Sequence, residues 1–268
     1  MRTRALLALP AAALLALTAC GGSSNDAAST SGRSSAAESS GGDLTGTLTV
    51  FAAASLTDVF TDLGDQLMKE NPELDVKFNF AGSDALATQI TQGAPADVFA
   101  SANEKQMKVV TDAGLQGADP KIFAENVLEI AVPKGNPGHV TGLKDFENAD
   151  LTLAVCAPTV PCGAAAQTVF QAAGINARPD TEETDVKAAL NKVQLGEVDA
   201  ALVYATDVEA AGDQVEGIEF PEADQAVNEY PICVLEAAPN PDAAKAFVDL
   251  VTSDEGQKAL TDAGFRNP

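Results

Sequence analysis

The sequence is poor in the groups that carry most chemistry. It has one histidine in 268 residues, His139 in GNPGHV, and no G-x-S-x-G segment. A lone imidazole, with no cluster of metal-ligating side chains, argues against a hydrolase or a metal enzyme. Positive charge is also scarce. Lys and Arg number 16 against 39 Asp and Glu, a formal net charge of −23. A basic patch for nucleic acid is thereby excluded, and the acidic surface keeps the chain soluble and off anionic lipid. No repeat of fixed short period is present.

The first residues do not read as part of a fold. Arg2 and Arg4 precede an apolar run over 5–17, too short to span a bilayer comfortably and of the length of a signal h-region. The run ends in Leu17-Thr18-Ala19-Cys20, which resembles the lipobox of bacterial lipoproteins. The expectation is a signal peptide over 1–19 and a lipidated Cys20 that anchors the chain to the membrane. Residues 21–43 are mostly Gly, Ser, Ala and Thr and cannot bury enough apolar surface to fold, so 20–43 reads as a tether. Removing the leader takes away two arginines and no acid, which makes the net charge more negative still. The fold is expected from Leu44 onward, with length enough for two lobes.

Cys156 and Cys162 lie six apart in VCAPTVPCG. Outside the cytoplasm the pair reads as a disulfide closing a short loop, with metal ligation as the alternative. Cys233, in PICVLEA, reads as a small buried hydrophobe.

From residue 48 onward, strand patterns alternate with helix patterns. Strands are expected at 48–52, 76–80, 97–100, 127–132, 151–155, 200–204, 218–220 and 232–235. Helices are expected at 55–70, 83–92, 104–113, 164–173, 186–195, 242–252 and 254–263. Such alternation means α/β with mainly parallel sheets. Ligands in such folds sit at the carboxyl ends of strands, near helix starts. Four junctions share one character: AAASL around Ser55, FAGSD around Ser83, VPCG around Cys162 and TDV at Val186. Each leads into a helix, the first two through small residues, and the first N–H groups of a helix are unpaired and favour an anion. Taken singly, each has a plainer reading. Ser55 with Asp58 looks like a capping box, Ser83 could cap its own helix, and Tyr204 could be a partly buried aromatic.

FAAASLTDVF, NFAGSDALATQI, GAPADVFASANEKQM, VPCGAAAQ, TDVKAALNKVQLGEVDAALVYATDV and EYPICVLEA follow one another in that order. Over residues 48–265 this resembles the molybdate-binding periplasmic protein family of ABC importers. The resemblance implies a two-lobe periplasmic-binding-protein fold (type II) with a hinge. Lobe 1 would comprise 44–127 plus 231–268, and lobe 2 would comprise 128–230. The chain would cross near 125–130 and 229–234.

The same resemblance implies an extracytoplasmic, monomeric carrier of molybdate and tungstate that serves an ABC permease and its ATPase. It implies neither catalysis nor a cofactor. A receptor for sulfate or thiosulfate is the alternative. The implied oxyanion ligands are the hydroxyls of Ser55, Ser83 and Tyr204 and the backbone N–H groups of Cys162 and Val186. Cys162 stands where the family usually has Ala, and a bond to Cys156 would stiffen the anion loop. Asp84 stands where a small polar residue is common. Its carboxylate is expected to turn outward, toward its own helix start.

Overall fold

The computed structural model describes residues 44–268. The expected leader over 1–19, Cys20 and the tether up to residue 43 lie outside the described residues.

Two five-stranded sheets organise the chain. The first takes β1 (Thr45–Ala53), β2 (Glu73–Ala81), β3 (Val98–Ala100) and β4 (Lys121–Asn126). The second takes β5 (Leu128–Pro133), β6 (Leu153–Cys156), β7 (Thr181–Glu183), β8 (Ala200–Tyr204) and β9 (Val215–Ile218). The chain then returns to the first sheet as β10 (Asn228–Val234). The strand orders are β2-β1-β3-β10-β4 and β7-β6-β8-β5-β9. The two sheets thus share one plan, in which the strand arriving from the other half inserts next to the edge strand.

That insertion corrects one expectation. Each sheet has two parallel and two antiparallel pairings and is not mainly parallel. Parallel neighbours need a crossover, usually a helix. β5 and β10 enter from the other half without one, so both pair antiparallel. The return crossing also lies upstream of its expected place. Asn228, Glu229 and Tyr230 already pair with Asn126, Glu125 and Ala124 of β4, so the first half resumes at Asn228 and not at 231. Between β4 and β5 the forward crossing is the single residue Val127.

Alternation along β1 explains the layers of the first half. Leu48, Val50 and Ala52 face a core built with α1 (Thr57–Glu70), α7 (Pro241–Thr252) and α8 (Asp254–Asp262). Phe51 faces the opposite core, built with α2 (Ser83–Thr91) and α3 (Glu104–Asp112). Period-two alternation puts successive side chains on opposite faces, and here both faces are covered. Cys233 packs into the second of these cores beside Met107, and burial pushes its thiol up to about 12. The second half wraps its sheet with α4 (Pro161–Ala173), α5 (Val186–Gln194) and α6 (Ala205–Ala211) around a separate core.

Three elements were not visible in the sequence pattern: β4, β7 and α6. Short segments such as KIFAEN and TEE become strands through pairing with partners distant in sequence or across the sheet. Local preference alone does not produce them. Likewise the strand expected at 218–220 forms earlier, because its pairing with β5 runs from Val215 to Ile218.

Phe247 on α7 is fully buried, with its ring 5.3 Å from Phe60 and 5.9 Å from Phe78. Truncation there leaves a cavity that rigid neighbours cannot refill. Phe247→Ala is expected to cost about 3–5 kcal/mol, read as a lowered urea midpoint with an unchanged slope.

Candidate functional site

The residues singled out in the sequence meet at one place. Ser55 lies in a single 3-10 turn, Ala54–Leu56, between β1 and α1. Ser83 opens α2 directly after β2 and Gly82. Neither hydroxyl caps its own helix. Ser55 Oγ lies 2.9 Å from the Tyr230 hydroxyl, and Ser83 Oγ accepts the N–H of Ala102 at 3.0 Å. The capping reading of these serines is therefore not what forms. Cys162 follows Pro161 at the start of α4, and because proline has no N–H, Cys162 offers the first backbone donor of that helix. Val186 opens α5, whose cap is the side chain of Asp185 accepting from Ala188 N at 2.9 Å. Tyr204 ends β8 and is 1% exposed.

All five residues line one small cavity, two from the first half and three from the second. Its volume is about 10 Å³ for the centre of a water-sized body, room for one compact occupant. Among the described residues no lysine or arginine lines it, and Asp185, turned to cap its helix, is the one acid. A wider cleft of about 430 Å³ beside the crossing strands is lined by Glu129, Glu219 and Asp224, and its side-chain donors Arg266 and Asn126 are engaged with Asp224 and Thr206.

The Tyr204 hydroxyl is the telling atom. It is buried and has no hydrogen-bond partner. Burial, then the neighbouring Tyr230 and Asp207, hold its phenol well above the ordinary range, so it keeps its proton and can only gain from an acceptor in the cavity. An orphaned buried hydroxyl costs on the order of 1–3 kcal/mol, which an occupant with oxygen acceptors would recover.

The halves are closed on each other. Asp58 on α1 pairs with Lys187 on α5 at 2.8 Å, and Lys187 also reaches Asp207 at 3.5 Å. Gln106 Nε2 donates to Thr159 O at 2.9 Å, and the Thr159 hydroxyl donates to Asp84 at 2.9 Å. Asp84 therefore reaches across the cleft and does not turn outward to its own helix. Thr159 sits in the loop closed by the Cys156–Cys162 disulfide. Gly163, next to it, has no space for a side chain, since a Cβ there would lie 2.0 Å from Ala157 O. A Cβ on Gly82 would lie 2.5 Å from Thr184 O of the other half, so glycine is what lets the cleft shut.

Sequence reasoning missed Gly82, Gln106, Thr159, Lys187, Asp207 and Tyr230. Two left a local trace: Gly82 in the small-residue junction FAGSD, and Asp207, three residues after Tyr204, whose backbone N–H it accepts at 3.1 Å. The others act across the cleft or from behind the wall.

Two sheets joined by two crossings, with a donor-lined cavity between the halves, define a bilobal solute-binding protein. The chain belongs to the bacterial extracellular solute-binding protein family, whose profile matches residues 48–266. It is 43% identical over 252 residues to the molybdate-binding protein ModA of Mycobacterium tuberculosis, covering 94% of this chain and 93% of that one. Among solved structures, it resembles the substrate-binding domain of a putative molybdenum ABC transporter from Clostridium difficile. There the identity is 30% and the TM-score 0.61, over 83% of this chain and 99% of that one. The periplasmic molybdate-binding protein of Azotobacter vinelandii shares the fold, with a TM-score of 0.72 at 20% identity over 82% of this chain and 99% of that one.

Asp207 yields a prediction. Burial raises its carboxyl from 3.8 to about 6, against the pull of Lys187. A raised folded-state pKa means the folded protein binds the extra proton. The resulting stability is fully present below about pH 4 and is lost as pH rises through about 6. The stability gap between wild type and Asp207→Asn should therefore shift toward wild type by on the order of 2–3 kcal/mol from pH 7 to pH 4. Paired urea titrations at the two pH values read this, and a constant gap would contradict it.

Proposed function

We propose that this protein is an extracytoplasmic carrier that captures molybdate, and tungstate with it, and delivers the ion to the permease and ATPase of an ABC importer. The observation that carries the reading is the buried, partnerless Tyr204 hydroxyl, facing the donors of Ser55, Ser83, Cys162 and Val186 across a cavity sized for one small ion. The relatives named for molybdate support the identity of that ion.

Neutral donors suffice for a dianion. Five charge-assisted hydrogen bonds at roughly 1.5–3 kcal/mol each give a gross gain of ~8–15 kcal/mol. Association costs roughly 4–15 kcal/mol, so tight binding without a salt bridge is feasible. The acidic surface does not oppose it, because exposed charge is screened beyond ~8 Å at physiological salt. Sulfate meets the same donors but is smaller, which leaves its contacts stretched. Tungstate is nearly the size of molybdate, and the site has no means to separate them. Closure over the ion would give the permease both halves in register. Attachment through a lipidated Cys20, a monomeric state, and transport without catalysis or cofactor complete the proposal.

Calorimetry with molybdate, tungstate and sulfate tests it. Molybdate and tungstate should bind alike and well ahead of sulfate, and Tyr204→Phe should weaken molybdate roughly 10- to 100-fold through the lost donor. Preference for sulfate, or full affinity in Tyr204→Phe, would sink the reading.

Gly82→Ala isolates closure. The backbone at Gly82 suits alanine (φ −58°, ψ 135°); the backbone atom it would meet, Thr184 O, belongs to the other half, and the second close atom, Asp84 Oδ1 at 2.8 Å, ends a side chain that can turn away. Molybdate affinity should fall about tenfold or more while the ligand-free melting temperature stays within a few degrees of wild type. Scattering should show less compaction on adding the ion.

A further inference from the structure

Tyr230 lies behind the cavity wall. It is 0% exposed on β10, with its ring edge-on to Tyr204, Phe123 and Phe265. Its hydroxyl makes one hydrogen bond, to Ser55 Oγ at 2.9 Å. Two proton arrangements fit that distance. If Ser55 donates, the phenol proton must turn to Asn126 or Tyr204, the other polar side chains beside it, and the serine turns its lone pairs to the cavity, against the oxygens of an anion. Lone pairs facing lone pairs cost the site one donor. If Tyr230 donates, the phenol is satisfied and the serine proton is free to point into the cavity. The second arrangement leaves no group unpaired once an anion is present. Burial also keeps the Tyr230 phenol above its ordinary pKa, so it retains the proton it must give.

Ser83 is treated the same way. Its acceptor side is filled from behind by the N–H of Ala102 at 3.0 Å. Each serine in the wall therefore has a donor at its back, and the wall carboxylate, Asp185, is engaged in capping α5.

We propose that Tyr230 is a specificity-determining residue: by donating to Ser55 Oγ it makes that serine a pure donor, and it sets the site against tetrahedral oxyanions that carry a proton. This rests on the oxyanion reading above and deepens it. A fully deprotonated dianion presents only acceptors and matches such a wall. An anion of the same shape and charge that carries a proton needs an acceptor, which Tyr230 has already filled.

Selenate and arsenate make the test, since at pH 8 both are dianions of nearly equal size and only arsenate carries a proton. Each is titrated against protein holding molybdate, and displacement is read by calorimetry up to tens of millimolar. Wild type should favour selenate over arsenate about tenfold or more. Tyr230→Phe frees the serine to turn its oxygen inward, so the ratio should fall about five- to tenfold. Ser55→Ala removes a donor without adding an acceptor, and should weaken both anions while leaving the ratio near wild type. A Tyr230→Phe protein that weakens both anions equally would show a purely structural role and overturn the proposal. Should that variant fail to fold, a wild-type ratio near one overturns it equally. So does selenate that cannot displace molybdate at all. Absence of molybdate binding by wild type would instead refute the proposed function itself, which keeps the two failures apart.

Discussion

A closed cavity faced by hydrogen-bond donors, with no cation in its wall, is the constraint on which the rest of the molecule depends. Donors of that kind come most readily from the open ends of helices, where backbone N–H groups lack partners. One helix start supplies one or two of them, so several must converge on a few cubic ångströms. The starts of α2, α4 and α5, the turn at Ser55 and the end of β8 at Tyr204 all meet there. No single sheet could aim so many strand ends at one point from opposite sides. Two sheets can, each turning its junctions toward the other, and the shared strand plan of the halves follows from that need.

Shutting the cavity requires the halves to touch at atomic distance. Gly82 permits this by having no side chain against Thr184 O, and Gly163 permits the close loop behind Cys162. The contacts that hold the cleft are few and polar: Asp58 with Lys187, Gln106 and Asp84 with Thr159. The Asp58–Lys187 and Asp84–Thr159 contacts are exposed, and pairs of this sort contribute little each. Lys187 links the contact to the site, because its second partner, Asp207, accepts the backbone N–H of Tyr204. The disulfide between Cys156 and Cys162 holds the loop that carries Thr159 and ends at Cys162 in the cavity wall. The closing contacts and the cavity wall are thus built on the same short segments.

Much of the fold was legible in the amino-acid order. The burial period of each long helix and strand matched its element, and Gly114 and Gly174 marked helix ends where they were expected. β4, β7 and α6 were not legible. The strands form only by pairing with remote partners, and seven residues of α6 are too few to show a period. The site was half legible. Ser55 and Ser83 were marked by small residues before helix starts, Cys162 and Val186 by helix starts, and Tyr204 by family resemblance, and all five line one cavity. The direction of each hydroxyl was not marked, and the capping reading of the two serines was locally just as sound.

The sequence by itself determined the alternation of strands and helices, the scarcity of histidine and of positive charge, and the junctions that lead into helix starts. These follow from local periodicity, composition and charge, which a linear chain displays in full. Only the tertiary structure decided which groups stand behind the two serines, that Asp84 reaches across the cleft, and that half the strand pairings run antiparallel. It also revealed that Tyr230 stands behind Ser55, 175 positions away in the chain. Each of these depends on which groups lie within three ångströms of one another across the folded chain, and such proximity has no local signature.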